Sequence, residues 1–221
     1  MDAPLWEPSR ARIERAQLTR FRQIVLSRWG VSTATYGDLH RFSTDRPEEF
    51  WQALWEFGGV VGDPGSTVVR DVDQMPGARF FPDARLNFAE NLLRRRDAES
   101  AIIFWGEDRV RRTMTHAELF GSVSRCAQAL RHAGVGPGDR VAGYLPSLPE
   151  TIISVLATAT IGAVWSSASP DFGVQGVVDR FSQIAPKVLI AADGYFYGGK
   201  THDGLARLPA IVAALPTAHR E

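Results

Sequence analysis

The sequence predicts an α/β fold, a mostly parallel doubly wound sheet behind a helical N-terminal extension. Three observations predict it. From about residue 100 onward, short apolar runs of strand length alternate with stripes of helical period. Glycine or proline stands at nearly every junction between the two. The first hundred residues show helical periodicity and Gly/Pro-rich loops but no such alternation. The boundary is therefore expected near 98/99, with 1–98 as the extension and 99–221 as the first part of the α/β domain.

In the extension, Leu18, Phe21, Ile24, Val25 and Trp29 form one helical stripe. Pro47, preceded by Ser43 and Thr44, suits the first turn of a second helix through Trp55. The loop Gly58 to Gly65 ends it. Phe50, Trp51 and Trp55 read as core. Arg85 to Arg95 reads as a third, short helix with Leu86, Ala89, Leu92 and Leu93 on one face. Beyond it, Ala101 to Trp105 and Arg109 to Thr113 flank Gly106-Glu107-Asp108 as a hairpin. Thr115 and Glu118 form a capping box before Leu119, Phe120, Val123, Ala127 and Leu130. Gly134 closes that helix, and Gly136 to Asp139 turns into the strand Arg140 to Leu145. Pro149 opens the next helix, Gly162 ends it, and Ala163 to Ser166 is a strand. A stripe from Val174 to Ile184, a strand Lys187 to Ala191 and a helix Leu205 to Leu215 complete the pattern. Such alternation means βαβ units and a parallel sheet covered on both faces. The last helix should feed a further strand, so the ending at Arg220-Glu221 suggests a longer polypeptide or a partner that completes the sheet.

Composition narrows the function. With 44% hydrophobic residues and 25 basic against 25 acidic side chains, disorder is excluded. The balance also argues against nucleic acid or an anionic membrane as partner. The single cysteine, Cys126, excludes a disulfide-stapled domain and reads as a small buried hydrophobe. Met1 to Glu7 shows no secretory pattern, so a cytoplasmic location is expected. The uncharged stretch Thr151 to Ser169 approaches membrane-span length, but Gly162 divides it and it reads as helix plus strand. His40, His116, His132, His202 and His219 show no metal-ligand spacing, and no metal site is expected. There is no G-x-S-x-G elbow, which removes a serine hydrolase. Gly134 to Gly138 follows a helix and precedes a strand, the reverse of a dinucleotide fingerprint.

Two segments remain. Gly194-Tyr195-Phe196-Tyr197-Gly198-Gly199-Lys200-Thr201 satisfies the phosphate-loop pattern G-x-x-x-x-G-K-[ST]. Three aromatics crowd the wrap, and Asp203-Gly204 stands where a helix should run on. A weaker reading keeps the glycines and Lys200 for a phosphate and the tyrosines for a base; a solvated turn is the alternative. Trp165 to Gly173 follows a strand's C-terminal end, where open α/β sheets bind ligands. It is either a pocket wall or the cap of the helix at Val174.

Taken together, several stretches resemble the adenylate-forming acyl-CoA synthetases. They are Pro4 to Ser9 with Leu18 to Phe21, Phe81 to Leu93, Gly134 to Glu150, Gly162 to Ser167, Ser169 to Gly173, and Ala191 to Lys200. The N-terminal and Trp165 to Gly173 stretches are most similar to the members that act on acetoacetate. The resemblance covers essentially the whole chain. It implies an AMP-binding α/β domain and a two-step ligase. A carboxylate attacks the α-phosphate of ATP, with Mg²⁺ screening charge, and CoA thiol then takes the acyl group from the adenylate. It implies that Tyr197, Gly198, Gly199 and Lys200 form the loop that holds the phosphorylated nucleotide end of CoA. Relatives that act on acetate carry arginines at Tyr197 and Lys200, so here Lys200 keeps the phosphate role and Tyr197 stacks or hydrogen-bonds. Trp165, Pro170 and Asp171 match a loop near the CoA channel.

The family's Ser/Thr/Gly-rich adenylation loop, its acid- and ribose-binding segments and its small C-terminal domain have no counterpart in these 221 residues. The implied partners are acetoacetate, ATP, CoA and the C-terminal remainder of the same enzyme. No catalytic residue and no independent activity are expected of this chain. Acetate, propionate or another short acid is the near alternative. A P-loop NTPase and a non-catalytic CoA-binding module are the alternatives of a different class.

Overall fold

The computed structural model describes residues 5–107 and 109–215. Met1 to Pro4, Asp108 in the expected hairpin turn, His219 and the Arg220-Glu221 ending lie outside the described residues. The chain divides into two compact units, Met1–Leu86 and Asn87–Glu221.

The first unit is built on α1 (Arg10–Glu14), α2 (Gln17–Trp29), α3 (Tyr36–Asp45) and α4 (Pro47–Phe57). Phe21 and Val25 of the expected stripe are buried with Leu39, Phe42 and Ala53. Phe50 meets Phe21 edge-on at 5.8 Å, while Trp51 and Trp55 lie against Phe80 and Phe81. Phe50 therefore packs against this core, whereas Trp51 and Trp55 are half-buried outside it. Two short antiparallel pairs follow, β1 (Gly62–Asp63) with β4 (Arg85–Leu86) and β2 (Val69–Arg70) with β3 (Arg79–Phe80). The helix expected from Arg85 thus starts later. Arg85 and Leu86 pair as strand, Asn87 is extended and caps Glu90 N–H at 3.1 Å, and α5 is confined to Phe88–Leu92.

In the second unit, β5 (Ser100–Gly106) and β6 (Val110–Thr115) form the expected hairpin. The Thr115–Glu118 capping box then opens α6 (His116–His132). The remaining order is β7 (Arg140–Tyr144), α7 (Pro149–Thr160), β8 (Val164–Ala168), α8 (Val174–Phe181), β9 (Val188–Ala191), β10 (Gly194–Tyr197), β11 (Lys200–Asp203) and α9 (Leu208–Ala214). β7 lies between β8 and β9, all parallel, with Val141 opposite both Trp165 and Val188.

Alternation along these strands builds two cores. Val141, Trp165, Val188 and Ile190 face one side with Leu119, Val123 and Leu130 of α6 and Ile153, Leu156 and Ala157 of α7. Ala142, Tyr144, Ala168, Leu189 and Ala191 face the other with Val177 and Phe181 of α8 and Ile211 of α9. Both faces are covered, which makes the unit a doubly wound parallel α/β sheet, as expected. Each fully buried Val, Ile or Phe here contributes about 1.5–3 kcal/mol by leaving water. The uncharged stretch resolves into the body of α7 and β8, and among the described residues no helix is long and apolar enough to cross a membrane.

The turn into β7 absorbs one of the two lysines. Asp139 accepts Gly136 N–H at 2.8 Å and Lys187 Nζ at 3.1 Å, and these partners, the backbone N–H first, hold its carboxyl below the usual range. Lys187 also donates to Gly134 O, so its charge ties β9 to the turn.

Candidate functional site

The C-terminal edge of the sheet opens onto a cavity of about 530 Å³. Its walls are the β5–β6 hairpin, the turn Pro146 to Glu150 entering α7, the loop Ser169 to Asp171 after β8, and β10. This is where an open α/β sheet offers its crevice.

The loop after β8 is held from beneath. The buried Tyr144 side chain stands with its hydroxyl 2.9 Å from Pro170 O and 3.0 Å from Phe172 O, donating to one at a time. Arg207 adds a bond to Pro170 O at 3.3 Å. On the cavity side, Asp171 accepts Ser169 Oγ at 3.0 Å and the Tyr195 hydroxyl at 3.2 Å. Partial burial, and then the Asp171 carboxylate, push the Tyr195 hydroxyl above its ordinary pKa, so it stays a donor at neutral pH. The Tyr195 ring stacks on His202 at 4.8 Å.

The segment that matches a phosphate loop is a β-hairpin. Tyr197 pairs with Lys200, leaving a two-residue turn. Gly198 and Gly199 take φ of 59° and 72°, as a type I′ turn demands and glycine permits. Lys200 begins the return strand instead of a helix, so no helix N-terminus faces the turn. That geometry removes the P-loop alternative. The turn amides, though exposed, are bonded within the chain: Gly198 N–H donates to Glu107 Oε1 at 2.6 Å and Gly199 N–H to Oε2 at 3.1 Å. Arg109 donates to Gly199 O at 3.1 Å and Thr201 Oγ1 at 3.3 Å while lying over the Phe196 ring.

Pro170, Asp171 and Tyr197 therefore share the cavity wall. Gly198, Gly199 and Lys200 sit at the adjoining hairpin tip and are exposed. Trp165 is elsewhere. Its ring packs over Gly143 in the core shared with α6 and α7. Tyr195 entered the sequence reading only as one of the tyrosines for a base, and neither Glu107 nor Arg109 was given a site role there. The charged hairpin turn at 106–109 is the only hint for the last two, and nothing local links it to residues 90 positions on. Cys126 is half-buried, and burial pushes its thiol upward, against any role as nucleophile. Among the described residues no group of three or more His, Cys, Asp or Glu side chains could hold a metal ion.

Comparison with known proteins agrees with this architecture. The AMP-binding enzyme family matches residues 88–220, and the acetyl-coenzyme A synthetase N-terminus matches 36–92. An acetoacetyl-coenzyme A synthetase of Rhizobium meliloti is 50% identical over 97% of this chain and 33% of its own length. One from Xenopus tropicalis is 38% identical over 96% and 32%. The solved acetoacetyl-CoA synthetase of Streptomyces lividans superposes with a TM-score of 0.89 at 41% identity, covering 99% of this chain and 34% of that one. The chain thus spans about a third of the length of these relatives. Since the first of these family matches takes in more than half of its residues, the chain belongs to the AMP-binding enzymes.

Proposed function

We propose that the chain is the N-terminal part of a cytoplasmic acid–thiol ligase that activates acetoacetate with ATP and passes the acyl group to CoA. The observation that carries this is the likeness, along nearly its whole length, to acetoacetyl-CoA synthetases at 50% and 38% identity. In this reading residues 1–98 are the N-terminal extension and the rest begins the AMP-binding domain.

The chain's own contribution is to receive CoA. Lys200 supplies a point charge for the phosphate on CoA's nucleotide end. Tyr197, 66% exposed at the cavity rim, offers a ring for the base. Pro170 and Asp171 form the facing wall, fixed by Tyr144, Ser169 and Tyr195. Trp165 packs over Gly143 in the core on the α6 and α7 face of the sheet. The residues that touch the reacting carboxylate and the ATP α-phosphate are proposed to lie outside these 221. No step is assigned here to Mg²⁺, for which the described side chains provide no cluster.

The test replaces the matching third of the Rhizobium meliloti relative with this chain. The chimera should form CoA thioester from acetoacetate faster than from acetate or propionate. A folded chimera that forms no acyl-adenylate from any of them overturns the reading, and a preference for acetate or propionate reassigns the acid. In the chimera Lys200→Ala should raise the KM for CoA about tenfold, the loss of one charge–phosphate contact. It should leave acetoacetate-dependent ATP–pyrophosphate exchange unchanged. The 221-residue chain alone should show no such exchange.

A further inference from the structure

Two backbone N–H groups of the Gly198-Gly199 turn point at one carboxylate, and that carboxylate belongs to the chain itself. Successive amides converging on one point make an anion cradle, and the two-pronged contact to Glu107 is how such a cradle takes a carboxylate or a phosphate. Glu107 reaches it from a hairpin tip 91 residues away, with its own backbone at φ 52°, a conformation costly for a residue with a Cβ. Arg109, two positions on, grips the other side of the same turn through Gly199 O, and Lys200 follows the turn directly. The tip thus holds two amides on an internal anion, with Arg109 fixing the carbonyl side of the same turn.

We propose that Glu107 is a built-in plug: its carboxylate stands in for a phosphate on the Gly198-Gly199 amides and must leave before a phosphate monoester can bind there. The proposal rests on the reading that this hairpin receives the phosphorylated end of CoA. A ligand that meets a plugged turn binds with its intrinsic affinity reduced by the fraction of time the turn is free. The plug therefore sets a threshold for weak anions such as inorganic phosphate. A ligand that gains further contacts, as a nucleotide would on Tyr197, can still displace it. With the carboxylate withdrawn, the two turn amides are free to meet the incoming charge.

The experiment follows the Gly198 and Gly199 amide resonances of the 221-residue chain during titration with inorganic phosphate and with adenosine 3′,5′-bisphosphate. Glu107→Gln keeps the shape and removes the charge, so it should shift both amides before any ligand is added. It should also lower the midpoint for both probes about tenfold relative to the unsubstituted chain. Glu107→Asp, one methylene too short to span both amides, should fall between the two. It carries the test if the glutamine variant does not fold. Equal midpoints in all three chains, or no response of the amides to either probe in a folded variant, overturn the plug. Failure of the CoA reading looks different, because Lys200→Ala would then leave the KM for CoA unchanged in the chimera whatever Glu107 does.

Discussion

Gly143 has no space for a methyl group. A Cβ built on it would stand 2.5 Å from Cη2 of Trp165, inside any real van der Waals contact. Its φ is not in the left-handed region, so the demand for glycine here is steric. At Gly198 and Gly199 the reverse holds, since an added Cβ meets nothing within 4 Å and only the positive φ selects glycine. Gly143→Ala should therefore push the indole out of place and cost about 1–3 kcal/mol, as overpacking does. Denaturant titration should show a lower midpoint with an unchanged slope. Combining it with Trp165→Leu should recover part of the loss, because the two residues share one volume. No destabilisation by Gly143→Ala would mean that the indole is not seated in the core. Trp165 would then be free to line the CoA channel, as the family resemblance implies.

At the scale of the element, α6 is held at its start by a reciprocal cap. Thr115 Oγ1 accepts Glu118 N–H at 3.2 Å, and the Glu118 carboxylate accepts Thr115 N–H at 2.8 Å. That backbone bond first, and the Thr115 hydroxyl second, hold the Glu118 carboxyl below its ordinary pKa. The sign follows from linkage. A group whose pKa is lower in the folded chain adds stability above its unfolded pKa and loses it as pH falls through the folded value. The stability difference between the unsubstituted chain and Glu118→Gln should thus be constant near neutrality and close on acidification through and below the carboxylate range. Thr115→Ala should cost about 1 kcal/mol at neutral pH. This cap was legible because it is written in four consecutive residues, as Pro47 and Pro149 are written at single positions. α3 was not, although Thr35 and Asp38 form the same box, because only Leu39 and Phe42 mark its buried face. The β10–β11 hairpin was misleading for another reason. The same residues satisfy a phosphate-loop spacing, and the difference lies in the pairing of Tyr197 with Lys200, which follows from backbone angles that composition does not carry. Tyr197 and the Pro170-Asp171 pair were read as two separate segments, because they belong to different sheets, Tyr197 ending β10 and the pair following β8, and only the fold brings them to one wall. Glu107 was out of reach, since its partners are distant in sequence and its turn has no apolar period to place it.

For the whole molecule, the sharpest question is where the α/β unit begins. Sequence texture put the change at 98/99, where the alternation of strand and helix starts. The packing gives residues 87–98 a stake in the sheet unit. Ala89 and Leu93 are buried in the core formed by α6, α7 and one face of the sheet. Asn87 Nδ2 donates to Ala159 O at 2.9 Å and Thr160 O at 3.3 Å, capping carbonyls at the C-terminal end of α7. A chain running from Asn87 to Leu215 keeps both cores and these bonds, and it should unfold cooperatively. One starting at Glu99 leaves the sites of Ala89 and Leu93 empty and the end of α7 uncapped. Emptying a buried leucine site alone costs about 2–5 kcal/mol, and each kcal/mol lowers Tm by about 2–8 °C in domains of this size range. The shorter chain should melt at least about 10 °C lower or lose its sharp transition altogether. Equal melting temperatures would return the boundary to 98/99 and reduce α5 to an ornament of the extension. A large gap would mean that the α/β unit begins at the asparagine cap, thirteen residues before its first long strand, because that turn of helix closes one of its two cores.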